Sequence, residues 1–289
     1  MKIRLYDIRS DYQSFAQLIN IAEKTKKCIF DTIEIDMVNA NWLDANMCAA
    51  FGAILYKVER KTNTVNLVNL QKGVETILSK NGFLSHYGRE KKLDTYGTTI
   101  EYKMFKRQED QSFASYVEKN LVGKGIPKMS QGLRKKFFES MFEIFSNAAS
   151  HSRTKMGIFS CGQFFPRMNH LDFSVTDLGV GIQQNVNEYT RQVLTAEQAI
   201  NWAMEGNNTT KVGQIPGGLG LKILREFIIM NQGKIQIVSD KGYWELSDGK
   251  VYMKAFSEPF PGTTVNIEIN TADTNSYCLS SEIRSEDVF

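Results

Sequence analysis

The stretch that decides the fold reads FESMFEIFSNAASHS and spans Phe138–Ser152. Its apolar residues recur at helical spacing, so one side of a long helix is expected to face a core. Glu139, Glu143 and Asn147 step by four residues and form a separate stripe on the same helix. A carboxylate and a carboxamide one turn apart, beside a buried face, can line a polar pocket. The alternative is a solvated stripe of Glu and Asn side chains.

Three glycine-containing motifs follow this helix. DLGVG at 177–181 comes after a strand-like run, GGLGL at 217–221 opens another helix, and GTT at 262–264 begins a final alternating strand. In this order and at these spacings, the four pieces resemble the ATP-binding domain of the GHKL superfamily. That group comprises type II topoisomerases, heat-shock chaperones, histidine kinases, mismatch-repair ATPases and the serine kinases that act as anti-sigma factors. The resemblance covers residues 109–276.

Length and composition set broad limits on function. The 289 residues leave room for two domains, and a formal net charge of +3 does not suggest a nucleic-acid partner. The cysteines lack CxxC spacing and fit reduced thiols better than disulfides or a zinc site. They are Cys28, Cys48, Cys161 and Cys278. No signal peptide or membrane-spanning run is evident. We therefore expect a cytoplasmic protein that does not bind a membrane.

The N-terminal third alternates predicted helices and strands, which indicates an α/β layer. The predicted helices are Tyr12–Lys27, Asp44–Lys57 and Gly73–Asn81, and the predicted strands are Cys28–Val38, Thr64–Leu70 and Thr98–Phe105. Over about residues 30–85 the order resembles the STAS domain of anti-sigma factor antagonists. In that family a phosphorylatable Ser follows the Asp of the turn, whereas here Ala45 follows Asp44. The resemblance therefore implies that the phosphoswitch is missing. The alternative is an unrelated small α/β domain.

The charged run KRQEDQ at 106–111 is the predicted domain boundary. We predict a STAS-like α/β domain at 1–108, an ATP-binding domain at 109–276 and a polar tail at 277–289. The predicted helices of the second domain are Ser112–Leu121, Ile182–Leu194, Thr195–Glu205 and Gly217–Asn231. Its predicted strands are Lys155–Phe165, Asn169–Asp177, Lys234–Ser239, Lys250–Phe256 and Thr263–Asn270. The expected class is α+β. The resemblance implies a Bergerat-type α/β sandwich, with helices on one face of a mixed, largely antiparallel sheet.

The resemblance assigns roles to the helix residues. Glu143 and Asn147 match the E-x-x-x-N pattern of the topoisomerase and chaperone branches, in which the Glu is the general base. Asn147 would then ligate Mg²⁺, which suits an amide oxygen combined with bound phosphates. Glu139, one turn earlier, is the competing carboxylate. His151 matches the end of the histidine-kinase N-box, where it either touches phosphate or stabilises the helix end.

Asp177 is the predicted adenine reader, because a carboxylate accepts a hydrogen bond from the exocyclic amine of adenine. Thr263 matches the family Thr that supports this contact. Gly179 and Gly181 are expected to let the backbone pass close to the base and ribose.

A second glycine box would contact the triphosphate through backbone N–H groups at a helix N-terminus. It consists of Gly217, Gly218, Leu219, Gly220 and Leu221. The polar segment 206–216 lacks periodicity and is predicted to be a mobile lid. In it, Thr209, Thr210 and Lys211 are candidate phosphate contacts.

These residues favour a Mg-ATP-binding regulatory protein with ATPase or protein serine kinase activity, similar to the anti-sigma-factor kinases. One alternative is a nucleotide-gated protein-interaction switch without significant turnover, and another is a sensor-histidine-kinase-like protein. His86, the only His before the helix, lacks the helical context of a phosphoacceptor. A protein partner or substrate is expected, and a homodimer is compatible with the resemblance.

Overall fold

The chain is built on two main β-sheets, and the computed structural model describes it over residues 1–205 and 219–282. The N-terminal unit contains β1 (Lys2–Ile8), α1 (Tyr12–Lys24), β2 (Thr32–Leu43), α2 (Cys48–Glu59), β3 (Thr64–Val68) and α3 (Lys72–Lys80). Its three strands pair in the order β1-β2-β3, and both pairings are parallel. The connections through α1 and α2 suit parallel pairing, because a parallel strand requires a crossover.

The second sheet has five strands in the order β4-β6-β7-β9-β8, and every pairing is antiparallel. These strands are β4 (Thr99–Phe105), β6 (Ile158–Phe165), β7 (His170–Asp177), β8 (Lys234–Ser247) and β9 (Lys250–Asn270). The helices are α4 (Asp110–Leu121), α5 (Gln131–His151), α6 (Ile182–Thr190), α7 (Ala196–Met204) and α8 (Leu219–Asn231), and two short strands, β5 (Lys128–Met129) and β10 (Ser276–Tyr277), pair separately. The α+β class predicted from the sequence is confirmed.

The central helix α5 is longer than the stretch that predicted it. It begins after Ser130, whose hydroxyl accepts a hydrogen bond from the Leu133 amide, an ordinary N-cap. The apolar stripe of α5 is buried, including Phe137, Met141 and Phe145. The helical periodicity therefore correctly identified the face that packs against the sheet.

The predicted boundary at 108 separates a strand from its own sheet. β4 pairs with β6, so residues 99–105 form the edge of the second sheet rather than part of the N-terminal unit. The charged run after β4 is a turn into α4, in which the Lys106 amide donates to the Glu109 carboxylate. We therefore place the start of the C-terminal unit before β4.

Further predictions differ from the structure. No strand is predicted for 2–8, which is β1, and the predicted strand that corresponds to β2 begins at Cys28 rather than Thr32. Two strands are predicted where the single strand β9 runs continuously over Lys250–Asn270. The predicted tail is partly tied down, since Tyr277 lies in β10 and the Glu282 carboxylate accepts from Ser130 and Gly132. Residues 283–289 lie outside the described residues.

Helices cover both faces of the five-stranded sheet. α4, α5, α7 and α8 pack on one face, whereas α1 and α2 of the N-terminal unit pack on the other. Phe15 of α1, which is fully buried, contacts the rings of Tyr243 and Phe260 in the C-terminal unit. The two units therefore share one hydrophobic core. The prediction that helices cover only one face of the sheet is correct for the helices of the C-terminal unit. The helices of the N-terminal unit cover the other face.

The face toward the N-terminal unit also carries a buried hydrogen-bond network. The Asn46 amide group donates to the Ser174 hydroxyl at 3.1 Å, and that hydroxyl donates to the Asn266 side chain at 2.6 Å. The Gln236 amide group donates to the carbonyl oxygen of Ser10 at 2.6 Å. Buried polar groups are costly unless paired, so this network fixes how the N-terminal unit sits on the sheet.

None of the helices that the structure describes combines the length and apolar character needed to cross a bilayer.

Phe15→Ala should lower the free energy of unfolding by about 3–5 kcal/mol, because it removes a ring from the shared core. The loss should appear equally in probes of both units, since the units unfold together. Chemical denaturation followed by far-UV circular dichroism and tryptophan fluorescence measures it.

Phe30→Ala is the matched control, because the Phe30 side chain is 83 % exposed and its loss should have little effect. Two separate unfolding transitions in the wild-type chain would contradict the shared core.

Candidate functional site

A cavity of about 160 Å³ lies between α5, α6, α7, α8 and one face of the sheet strands β7, β8 and β9. Its lining is mainly apolar. A small set of polar side chains interrupts that lining, namely Glu143, Asn147, His151, Ser152, Asp177, Asn185 and Thr263. A mostly apolar pocket with a few convergent polar groups is the usual form of a small-molecule site. Five of these seven residues were predicted from the sequence, and the fold brings them together.

Helix α5 supplies the predicted stripe. Glu143, Asn147 and His151 lie at successive intervals of four residues, and all three side chains are half-buried along the cavity. The competing carboxylate, Glu139, is exposed and forms an ion pair with Lys136 at 2.8 Å. The structure therefore separates the two carboxylates that the sequence left in competition. Only Glu143 faces the cavity.

The end of α5 is fixed by contacts with α6. His151 is the last residue of the helix, and its carbonyl oxygen accepts a hydrogen bond from the Asn185 amide group at 3.1 Å. Asn185 itself lines the cavity. His151 thus both ends the helix and borders the cavity.

Asp177 is the last residue of β7, and its side chain is only 4 % exposed. Burial raises its pKa to about 7, although hydrogen bonding to the Gly179 amide and contact with Ser152 pull the pKa in the opposite direction. A carboxyl group held in an apolar cavity with such a raised pKa has a folding cost. Groups of this kind concentrate at functional sites.

Thr263 lies directly opposite Asp177 in the pairing of β7 with β9. Opposed residues of an antiparallel pair project from the same face, so both side chains border the same cavity. The Thr263 hydroxyl shares a 2.8 Å hydrogen bond with the Ser239 hydroxyl, which also accepts from the Ile182 amide. These bonds orient Thr263 and hold the start of α6 against the sheet.

Gly179 has a packing role that the sequence did not suggest. A Cβ atom at this position would lie 1.9 Å from the carbonyl oxygen of Ser152, and the neighbouring Val180 amide donates to that oxygen at 2.6 Å. Gly179 therefore lets the turn after β7 press against the end of α5. Gly181 caps α6, where an added Cβ would meet the Ser239 hydroxyl at 3.1 Å. Val180 borders the cavity, but the described lining includes neither glycine.

Only part of the second glycine box can be located. Helix α8 begins at Leu219, Gly220 is in its first turn, and the Leu221 side chain lines the cavity. The predicted phosphate contacts Thr209, Thr210, Lys211, Gly217 and Gly218 lie outside the described residues.

The remaining walls of the cavity have no motif in the sequence that marks them. Ile182 and Val186 of α6, together with Trp202 and Met204 of α7, line the cavity. The helical periodicity of α6 and α7 predicts that each helix has an apolar face. It does not predict that this face borders a cavity. Asn185 had no distinguishing motif at all.

Metal binding was predicted through Asn147. Within residues 1–205 and 219–282, no group of three or more His, Cys, Asp or Glu side chains is arranged to hold a metal ion. Mg²⁺ bound with nucleotide phosphates needs few protein ligands, and an amide oxygen is a suitable one. The half-buried position of Asn147 beside the Glu143 carboxylate fits that donor set.

No protein-family model matches this chain, and a comparison with curated proteins finds no match. The functional argument therefore depends on the cavity and on the residues that line it.

Asp177→Asn should stabilise the ligand-free protein, increasingly so as the pH rises. Because the folded-state pKa is raised from 3.8 to about 7, the wild-type protein loses stability as the pH rises between these values. The amide cannot ionise and avoids that loss. Between pH 5 and pH 8 the stability difference between variant and wild type should grow by about 2–3 kcal/mol. Urea denaturation at both pH values measures it.

Glu258→Gln, at an exposed position of β9, is the matched control and should show no such growth. A pH-independent difference for Asp177→Asn would show that the carboxyl group does not titrate in this range.

Proposed function

We propose that the chain binds Mg-ATP in this cavity and uses the nucleotide to regulate a protein partner, through ATP hydrolysis or serine phosphorylation. The observation that carries the proposal is the buried carboxyl of Asp177, set across the cavity lining from the Glu143–Asn147–His151 stripe. A carboxylate left without a strong counter-charge destabilises the fold. A ligand that donates hydrogen bonds to it, as adenine does through its amine, would offset that cost.

The proposal extends to the fold. A Bergerat-type sandwich for the C-terminal unit is supported by the antiparallel sheet with α4, α5, α7 and α8 on one face. A STAS-like N-terminal unit is supported by its parallel strands and alternating helices. The turn at Asp44 is buried against the second sheet, where the Ala45 amide donates to the Gln163 side chain at 3.0 Å. That burial agrees with a turn that does not serve as a phosphorylation switch.

Each polar residue has a role in this proposal. The Asp177 carboxylate accepts a hydrogen bond from the base, with Thr263 beside it. Asn147 would hold Mg²⁺, and His151 would donate a hydrogen bond to a phosphate oxygen. Glu143 acts as general base toward water or a substrate hydroxyl. When bound, Mg-ATP supplies a transferable phosphoryl group whose charge the metal partly neutralises.

A nucleotide-gated switch without significant turnover is the second candidate. It is favoured by the core that the N-terminal unit shares with the sheet bearing Asp177 and Thr263. Through that core, a change at the cavity can alter how the N-terminal unit is held. The histidine-kinase-like alternative is less well supported, because His86 lies in a short 3-10 turn, Phe83–Tyr87, against Tyr102.

Asp177→Asn should weaken ATP binding at pH 8 by about 10- to 100-fold, the worth of a hydrogen bond to a charged group. Combined with its stabilising effect on the free protein, this would mark Asp177 as a residue kept for function. Equilibrium binding of a fluorescent ATP analogue, displaced by ATP, measures the change. Unchanged affinity would remove Asp177 from the site.

Glu143→Ala should leave ATP affinity within about threefold of the wild type and lower the turnover rate by about 100-fold or more, as expected for a general base. Glu139→Ala is the matched control on the same helix and should change neither quantity. Incubation with γ-labelled ATP separates the two activities, since free phosphate indicates hydrolysis and labelled protein indicates transfer. Turnover that survives Glu143→Ala would refute the base assignment, and no turnover in the wild type would favour the switch.

A further inference from the structure

The wall of the cavity opposite the α5 stripe contains one indole. Trp202, Ala203 and Met204, at the end of α7, all border the cavity. Among the described lining residues, Trp202 is the only Trp, Tyr or Phe. Its side chain is half-buried. An aromatic side chain bordering a largely apolar cavity is suited to a flat, weakly polar ring rather than to phosphate.

A second aromatic ring supports Trp202 from α6. The Tyr189 ring centroid lies 6.1 Å from that of Trp202, with an interplanar angle of 51°. Tyr189 follows Val186 by one helical turn, and Val186 borders the same cavity. The indole is therefore held on the side of the cavity formed by α6, by a ring at the C-terminal end of that helix.

Helix α7 is a rigid support for this indole. Thr195 and Gln198 form a reciprocal capping box at its start. A Cβ atom at Gly242 of β8 would lie 2.7 Å from the backbone of Ala196, so glycine permits the close contact between strand and helix. Farther along, the Trp244 indole N–H donates to the Asn201 side chain at 3.0 Å. Trp244 is fully buried and fixes the helix, whereas Trp202 on the same helix remains at the cavity.

We infer that Trp202 is the stacking platform for the nucleotide base and thus a specificity-determining residue of the site. This inference rests on the proposed function. Asp177 would read the edge of the purine by hydrogen bonding, and Trp202 would cover its face. Stacking on an aromatic side chain does not depend on the edge groups of the base. Trp202 therefore selects a planar base over a bare phosphate, while Asp177 selects among bases.

Trp202→Leu and Trp202→Phe test the platform, because leucine keeps apolar cover without an aromatic face and phenylalanine keeps a smaller face. Isothermal titration calorimetry with Mg-ATP should show affinity about 5- to 100-fold weaker for Trp202→Leu, the worth of one stacking contact. Trp202→Phe should remain within about threefold of the wild type. Both variants should keep the wild-type melting temperature without ligand within a few degrees, as a half-exposed position allows.

Tryptophan fluorescence gives the readout that a purely structural role would not change. ATP should quench the emission of the wild type and of Trp42→Phe, but not that of Trp202→Phe. Wild-type ATP affinity in Trp202→Leu, or quenching that persists in Trp202→Phe, would overturn the platform while leaving the proposed function intact. A wild-type chain that binds no ATP would refute the proposed function itself.

Discussion

The structure depends on one antiparallel pairing, that of β7 with β9, in register from His170 opposite Asn270 to Asp177 opposite Thr263. Successive side chains of a strand alternate between faces, so this register assigns every residue of both strands to one side of the sheet. Val175 and Asp177 face the cavity, whereas Ser174 and Thr176 face the N-terminal unit. A slip of one residue would exchange the two sets and destroy both the cavity and the interface.

Both faces carry buried polar groups for that reason. Toward the N-terminal unit, polar side chains pair with one another, as in the 2.6 Å hydrogen bond between the Thr176 and Thr264 hydroxyls. Among the described residues, one oxygen of Asn46 and one of Asp172 are buried there without a hydrogen-bond partner. Toward the cavity, Asp177 has mainly backbone support and a pKa near 7. The protein therefore tolerates an energetic cost at the position where the proposed ligand contact would be made. Functional sites commonly contain groups whose burial or strain lowers the free energy of unfolding. The fold tolerates them because its other interactions hold the structure in place.

The sequence allowed prediction of elements whose signal is local. Helix α5 followed from its apolar periodicity, and the spacing of Glu143 from Asn147 identified the stripe that borders the cavity. Features that depend on distant partners were missed. In β1, the buried residues Ile3 and Leu5 alternate with charged residues. Because of these charges, the segment was not predicted to be a strand. The strand β4 was recognised, but its partner, β6, lies more than fifty residues away along the chain. Nothing in the pattern of α7 distinguished Trp202 as a cavity residue, because its position is set by β8.

The most direct measurement is isothermal titration of the full chain with ATP and with GTP at pH 8 in the presence of millimolar Mg²⁺. The account predicts saturable binding of ATP at one site per chain and binding of GTP at least about tenfold weaker. Guanine presents a carbonyl acceptor where adenine presents its amine, and a carboxylate can only accept at that position. No binding of ATP under these conditions would contradict the central claim, and equal affinity for both nucleotides would contradict the assignment of Asp177 as the group that reads the base.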